Sequence, residues 1–325
     1  MTPPRIFVTR PIPGSAVATL RAKGYEVTVN PKDRPLPARK LLKILRKNTY
    51  DGVLCLLHDH IDAKVFDVAP TVKVYANYAV GFNNIDVVEA KRRGIVITNT
   101  PSDAVNESVS EHTFALLLSL MHRIVEGDKF IREGNYGGWN PNLLIGADLA
   151  GKTLGVIGAG RIGTFVLEKA VKAFGMKACY FDLVQNEIAE RELGAGRMTS
   201  VEELLRVCDV VSLHVSLNET STHLLNAERI ALLKPTAVVI NTSRGPVIDE
   251  DALAAALAAK KIQGAGLDVF EFEPKISKKL LKLSNVVLTP HTASATETAR
   301  NDMSNRAAQN LIDFFEGRKP FYAVI

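Results

Sequence analysis

This sequence predicts two doubly wound α/β units, each a parallel sheet with helices on both faces. Three observations carry the prediction. Short runs rich in Val and Ile alternate with helical stretches through the first hundred residues. A glycine triplet, Gly158-x-Gly160-x-x-Gly163, lies between a strand and an apolar helix near the middle. A second strand–helix series follows it. Such alternation implies parallel strands joined by crossover helices.

In the first series, Ile6–Thr9, Glu26–Val29, Gly52–Leu56, Val74–Ala76 and Val96–Asn99 read as strands. Ser15–Lys23, Pro37–Lys47, Ala63–Ala69 and Asp86–Arg93 read as the helices between them. Gly24 and Gly94 fall just past helix ends, where a left-handed residue is wanted. Glu107–Glu133 reads as one long helix, with Phe114, Leu117, Leu118, Met121, Ile124 and Val125 at helical spacing. A glycine-rich loop with the single tryptophan, Trp139, follows.

The second series opens with strands at Leu154–Ile157 and Ala178–Phe181. Ser200 and Glu203 form a capping box for a short helix. Further strands are expected at Val210–Leu213, Ala237–Ile240, Gly264–Leu267 and Val286–Leu288, with helices at Asn226–Leu232 and Glu250–Lys260. Thr296–Glu316 reads as a long amphipathic helix, free to return to the first unit.

Length and composition set outer limits. With 325 residues the chain has room for two domains. No apolar run reaches the roughly 18 residues of a membrane span. The N-terminus lacks the charged head and long apolar stretch of a signal peptide. Cys55, Cys179 and Cys208 are widely separated, with no CxxC pair, and read as buried thiols in a reducing cytoplasm. No His/Cys/Asp cluster has metal-ligand spacing. The net charge of +5 is modest and suits anionic small molecules rather than nucleic acid. The basic run Lys275–Lys282 reads as a solvated helix face.

The glycine triplet has a physical logic. Gly158 makes the tight turn, Gly160 admits a pyrophosphate to the backbone, and Gly163 lets helix and strand pack closely. The helix N-terminus beyond it faces the anion. Asp182, ending the next strand, would accept from both ribose hydroxyls of an adenosine and repel a 2′-phosphate. Leu183, Val184 and Gln185 offer no arginine for that phosphate. The expected cofactor is therefore NAD(H).

In open parallel sheets, ligands gather at the carboxyl ends of strands. At those ends stand His214, Thr242, Ser243, Arg244, Asp268, Glu273 and His291. An arginine can hold a substrate carboxylate through two hydrogen bonds. A protonated imidazole can donate to a ketone oxygen, and a carboxylate beside it orients it and favours its charged form. Beside a nicotinamide, this set suits hydride transfer to a 2-keto acid. Each residue alone has an ordinary structural reading, as a surface ion pair or a hydrogen-bonded core group. Their convergence on one rim favours the chemical one.

The residues also match a family. NYAVGFNNID (77–86), SEHTFALLLSL (110–120), GKTLGVIGAGRIG (151–163), INTSRGPVIDE (240–250), GAGLDVFEFEP (264–274) and TPHTASAT (289–296) resemble the D-isomer-specific 2-hydroxyacid dehydrogenases over nearly the whole chain. The resemblance implies a flavodoxin-like substrate domain of residues 1–100 plus 292–325, and a Rossmann NAD-binding domain of residues 101–291. It implies that Arg244 orients substrate, Glu273 supports the histidine and His291 donates the proton. Leu57, Val80 and Gly81 would bind substrate, the last two through backbone amides. Gly158, Gly160, Arg161, Ile162, Gly163, Asp182, His214, Val215, Thr220, Thr242, Ser243, Asp268, His291 and Ser294 would line the cofactor, with Asp268 meeting the nicotinamide carboxamide. The 107–133 region resembles a dimerisation arm, so a homodimer is expected.

Within the family the chain most resembles glyoxylate and hydroxypyruvate reductases, with D-lactate dehydrogenases as the alternative. A non-catalytic NAD-sensing protein is the rival from another class. Two departures stand out. Ser216 replaces a usual proline, which suggests a looser loop, and His58 replaces a small hydroxyl residue, where it reads as facing solvent.

Overall fold

The computed structural model describes residues 2–325 and divides into two compact units. One runs up to Val105 and resumes at Ala295–Ile325; the other is Asn106–Ser294. These limits differ by a few residues from the expected 100/101 and 291/292. The difference at the second limit has a local cause. Thr292 N and Ala293 N both donate to the Asp268 carboxylate, which ties them to the second unit.

The first unit is a five-stranded parallel sheet of β1 (Arg5–Val8), β2 (Glu26–Val29), β3 (Gly52–Leu56), β4 (Val74–Tyr78) and β5 (Val96–Thr98), in the order β2-β1-β3-β4-β5. This is the flavodoxin-like order. Helices α1 (Ala16–Ala22), α2 (Ala38–Lys47), α3 (Ala63–Val68) and α4 (Val87–Arg92) connect the strands. Asp62 and Asp86 cap α3 and α4, accepting from Val65 N and Glu89 N. Gly24 and Gly94 take the left-handed conformation that ends α1 and α4. The last helix, α12 (Glu297–Phe315), packs on α1 and β4. Buried Ser304 accepts from Ala16 N, and Tyr78 donates to Arg300 O.

The second unit begins within α5 (Asp103–Met121) and continues with α6 (Ile124–Arg132). The single long helix expected over Glu107–Glu133 is thus two, broken at Arg123, whose φ is 53°. The cause lies elsewhere in the chain. Ala147 N takes the Met121 carbonyl at 2.9 Å, and Gly146 passes so close that any Cβ there would strike that oxygen. A carbonyl claimed this way leaves the helix ladder.

The seven-stranded sheet contains β6 (Thr153–Ile157), β7 (Lys177–Phe181), β8 (Gly196–Arg197), β9 (Val210–Leu213), β10 (Val238–Asn241), β11 (Gly264–Leu267) and β12 (Val286–Leu288). Their order is β12-β11-β10-β9-β6-β7-β8, all parallel. Direction reverses between β6 and β9, which opens the ligand crevice of a Rossmann sheet. One face packs Phe114 and Leu117 of α5 with Val166 and Leu167 of α7 (Arg161–Lys172). The other packs Leu204 and Leu205 of α9 (Val201–Val207) with Ile230 of α10 (Ala227–Ile230) and with Leu253 and Leu257 of α11 (Glu250–Ala258). Burying one such leucine contributes about 1.5–3 kcal/mol.

Two local readings need correction. Ser200 caps α9, but Glu203 reaches back to Thr199 N rather than Ser200 N, so the box is offset by one residue. Lys275–Lys282 holds only a short 3-10 turn, Leu280–Lys282, anchored by buried Leu280. Cys179 and Cys208, far apart in sequence, lie with their sulfurs 3.3 Å apart beneath α9. All three cysteines are buried free thiols.

Candidate active site

The glycine triplet closes the β6–α7 turn as its spacing requires. Gly158 has φ +95°, and a Cβ there would lie 2.8 Å from the His214 carbonyl group. A Cβ on Gly163 would strike the Gly158 oxygen, whereas one on Gly160 meets nothing. The turn is therefore packed from below and open above. Gly160 stands at the N-cap of α7, so the amides of Arg161, Ile162 and Gly163 begin the helix without intrahelical acceptors. That is a cradle for a phosphate, and the residues fit a dinucleotide.

Asp182 follows β7 and accepts from Val184 N, with Leu183 and Val184 exposed beside it. Two neighbours were not legible in the sequence. Asn186 caps α8 (Glu187–Leu193) and donates to Ala159 O and Thr164 Oγ1, pinning the glycine turn. Arg197 donates to the carbonyls of Asp182 and Leu183. A guanidinium does stand near Asp182, then, although residues 183–185 supply none.

At the end of β9, His214 Nε2 lies 2.7 Å from Ser212 Oγ. Burial pushes its imidazole down to about 3, so it is neutral at physiological pH. An unfolded histidine takes up a proton near pH 6.5. Between that value and the folded one the unfolded state holds the extra proton, so His214 lowers stability increasingly as the solution is acidified. His214→Gln should flatten the fall in Tm between about pH 7 and pH 4. An unchanged slope in thermal denaturation would contradict this.

The loop after His214 is closed rather than loose. Asn218 Oδ1 accepts from Thr220 N, Thr220 Oγ1 and Ser221 N, and Ser221 Oγ donates to Ser216 O. Val215 abuts Gly158. Thr242 and Ser243 are buried with their hydroxyls used internally, on Thr113 and Asn241. A closed Asn241 turn at the end of β10 holds both residues in place. Ser294 lies half-buried at the end of the unit.

Asp268 follows β11. It is fully buried. Its carboxylate accepts from Thr289 Oγ1 (2.6 Å), Thr292 N (2.7 Å) and Ala293 N (2.8 Å). Burial opposes its ionisation, but donation from His112, Thr289 and those amides prevails and holds it below the ordinary carboxylate value. Asp268 thus fastens the 289–293 turn.

That turn presents His291 with φ +55°. His291 Nδ1 lies 3.0 Å from Glu273 Oε2, and Glu273 Oε1 accepts from Phe270 N. Arg244 follows β10 and donates to Ser243 O. Burial weakens the proton affinity of its guanidinium, and the Glu273 charge partly restores it. Gly245 lets the Arg244 segment reach the 270–273 segment, since a Cβ there would strike the Phe270 carbonyl. The second unit thus brings Arg244, Glu273 and His291 together. Among the described residues, no group of three or more His, Cys, Asp or Glu could hold a metal.

In the first unit, Leu57 follows β3 while Val80 and Gly81 follow the adjacent β4. A buried network fixes both turns. Asp59 accepts from Thr9 Oγ1 and Leu56 N. Asn84 donates to the carbonyls of Leu56 and Asp59, and Asn77 donates to Gly81 O. Among the described residues, the amides of Val80 and Gly81 donate to no protein acceptor. His58 is exposed.

Comparison with known proteins places this geometry. Residues 114–293 match the family model described as D-isomer specific 2-hydroxyacid dehydrogenase, NAD binding domain. Among curated relatives, the glyoxylate reductase of Pyrococcus furiosus is 43% identical over 321 residues, covering 98% of this chain and 94% of the relative. That of Korarchaeum cryptofilum is 44% identical over 319 residues, covering 98% and 94%. Among solved structures, a Thermus thermophilus protein aligns with TM-score 0.92 at 41% identity, covering 99% of this chain and 100% of the other. An NADPH-dependent glyoxylate/hydroxypyruvate reductase from Sinorhizobium meliloti, in complex with NADP and malonate, aligns with TM-score 0.87 at 30% identity, covering 99% and 97%.

Proposed function

The chain belongs to the D-isomer specific 2-hydroxyacid dehydrogenase family, and from that premise we propose that it reduces small 2-keto acids to D-2-hydroxy acids with NADH. Glyoxylate and hydroxypyruvate are the leading substrates. One observation carries the reading: a His291–Glu273 pair at 3.0 Å with Arg244 beside it, in the unit that holds the glycine turn. The names of the relatives support the choice of substrate.

When bound, the nicotinamide supplies a hydride. The chain's own residues do the remaining work. The Arg244 guanidinium holds the substrate carboxylate and orients the ketone. Glu273 accepts from His291 Nδ1–H, so the proton delivered to the ketone oxygen comes from Nε2. In the first unit we assign carboxylate binding to the Val80 and Gly81 amides, with Leu57 as an apolar neighbour. The amides of Arg161 and Ile162 hold the pyrophosphate and Asp182 the ribose hydroxyls. His214, Val215 and Thr220 lie on the adenine side.

Loss of NADH absorbance against glyoxylate, hydroxypyruvate, pyruvate and phenylpyruvate tests the reading. Fast turnover of the first two supports it. Preference for pyruvate or phenylpyruvate would favour a D-lactate dehydrogenase. NADH binding with no turnover on any of them would overturn the catalytic reading in favour of a sensing protein.

Cofactor choice rests on Asp182. Asp182→Ser should weaken NADH at least about tenfold, the worth of a charge-assisted hydrogen bond, and raise the NADPH:NADH ratio, since the repelling carboxylate is gone and the Arg197 guanidinium stands nearby. Unchanged NADH affinity, read by nucleotide fluorescence, would remove Asp182 from the ribose.

The homodimer we propose draws on the apolar side chains that α6 and the following loop leave exposed. They are Ile124, Val125, Ile131, Tyr136, Ile145 and Trp139, the last 85% exposed. A monomeric mass in sedimentation would remove it. Three free buried thiols support a reducing, cytoplasmic setting. Among the described residues, no helix is long and apolar enough to cross a membrane.

A further inference from the structure

His291 stands on a turn that needs external support. Its left-handed φ is uncommon for a residue with a Cβ and is strained. Its own amide donates to Asp268 O and Thr289 O. The flanking residues hang on the Asp268 carboxylate. What holds Asp268 and Thr289 is a polar face of α5. Ser108 and His112, four apart and so on one side of that helix, both reach the turn. Ser108 Oγ donates to Ala293 O at 2.8 Å. His112 Nε2 lies 2.9 Å from Thr289 Oγ1 and 3.4 Å from Asp268 Oδ1.

The directions of these bonds follow from counting hydrogens. A hydroxyl has one hydrogen and two lone pairs. Thr289 gives its hydrogen to Asp268, since an ionised carboxylate only accepts. The oxygen of Thr289 must then accept from His112, so the proton of that ring sits on Nε2. The result is a one-way chain: His112 N–H to Thr289 O–H to Asp268 carboxylate. Every link is largely shielded from water, and His112 is only 21% exposed. A chain of this kind orients as a unit and weakens as a unit.

We propose that His112 is a positioning residue for the reaction, setting through Thr289 and Asp268 the turn that aims His291. The assignment rests on the proposed role of His291 as proton donor. The His112 ring meets Thr289 and Asp268. It acts by keeping the 289–293 turn in the conformation that pairs the imidazole with Glu273.

The test compares His112→Leu, His112→Gln and Thr289→Val in the full-length protein. Glutamine can place a donor where Nε2 stands; leucine cannot. His112→Leu should lower kcat about tenfold, the effect of a turn displaced by a fraction of an ångström, with NADH affinity within twofold of wild type. His112→Gln should restore most of the rate. The double variant His112→Leu/Thr289→Val should be no slower than its worse parent, because both act through one chain. Hydrogen exchange gives a readout that needs no turnover: the Thr292 and Ala293 amides should exchange at least tenfold faster in His112→Leu.

Unchanged kcat and unchanged exchange in His112→Leu would overturn the proposal. So would a His112→Gln enzyme as slow as the leucine variant, which would make the role one of volume. Strictly multiplicative losses in the double variant would break the chain between the two residues. Faster exchange in His112→Leu, with no variant or wild type turning over any keto acid, would instead refute the proposed reaction while leaving the hydrogen-bond chain in place. Should His112→Leu fail to fold, Thr289→Val and His112→Gln carry the same comparisons.

Discussion

His291→Ala is expected to lower turnover of glyoxylate by about a hundredfold or more, the usual worth of a positioned general acid, while NADH still binds. Glu273 Oε2 lies 3.0 Å from His291 Nδ1, so in the proposed reaction this nitrogen keeps its hydrogen on the carboxylate. Only Nε2 is then available to give a proton away. The imidazole is 26% exposed, so it is held yet reachable. An alanine removes the donor without touching the glycine turn or Asp182, which is why nucleotide fluorescence should report wild-type affinity. The loss should sit in kcat, because the bond to the ketone oxygen strengthens only as charge develops there. A kcat within threefold of wild type would place the proton donor elsewhere.

Gly245→Ala should damage stability and catalysis together. A Cβ at this position would fall on the Phe270 carbonyl and lie 2.5 Å from Glu271 N. These are backbone atoms and cannot swing aside as a side chain can. The Arg244 and Phe270–Glu273 segments would have to separate until carbon atoms stand about 3.5 Å or more apart. Overpacking of this kind costs about 3 kcal/mol or more when neither side can yield. The same separation draws the guanidinium away from the His291–Glu273 pair, and a displacement of about 1 Å can cost a hundredfold in rate. Chemical denaturation and steady-state kinetics would read the two effects. Wild-type values in both would show that the segments part without consequence.

The two predictions differ in how visible their residues were. His291, Glu273 and Arg244 stand at strand ends in short, distinctive motifs, and the resemblance to a family named their roles. Gly245 sits inside one of those motifs, yet nothing in its neighbours says that Phe270 will press against it. The roles of His112, Asn186 and Arg197 are hidden for the same reason. Each acts on a partner far away in sequence or on an adjacent strand, at Thr289, Ala159 and Asp182. Asp268 was legible as a strand-end acid, but its burial under the 289–293 turn was not.

The elements divide in a similar way. Strands such as Glu26–Val29, Gly52–Leu56, Val210–Leu213, Gly264–Leu267 and Val286–Leu288 were readable to the residue. Runs of β-branched residues bounded by glycine or polar groups state a strand locally. The α5–α6 break was not readable, because the apolar spacing runs straight through it. Only the approach of Gly146 and Ala147 to the Met121 carbonyl ends α5 there. The 275–282 segment erred in the opposite sense. Its lysines and leucines alternate as on a helix face, but Glu250 takes Ser277 N and Leu280 is buried, so the chain is held in a turn.

By itself, then, the sequence determined the two parallel-sheet units, the nucleotide turn and the identity of the groups offered for chemistry. Those features depend on local periodicity, on backbone freedom at particular glycines and on side-chain type. Tertiary structure alone decided which of these groups face outward, which are consumed in holding a turn, and where one backbone must pass close to another. Such outcomes depend on desolvation and on hydrogen-bond partners that meet only after the sheet has formed, and no window along the chain contains both members of the pair.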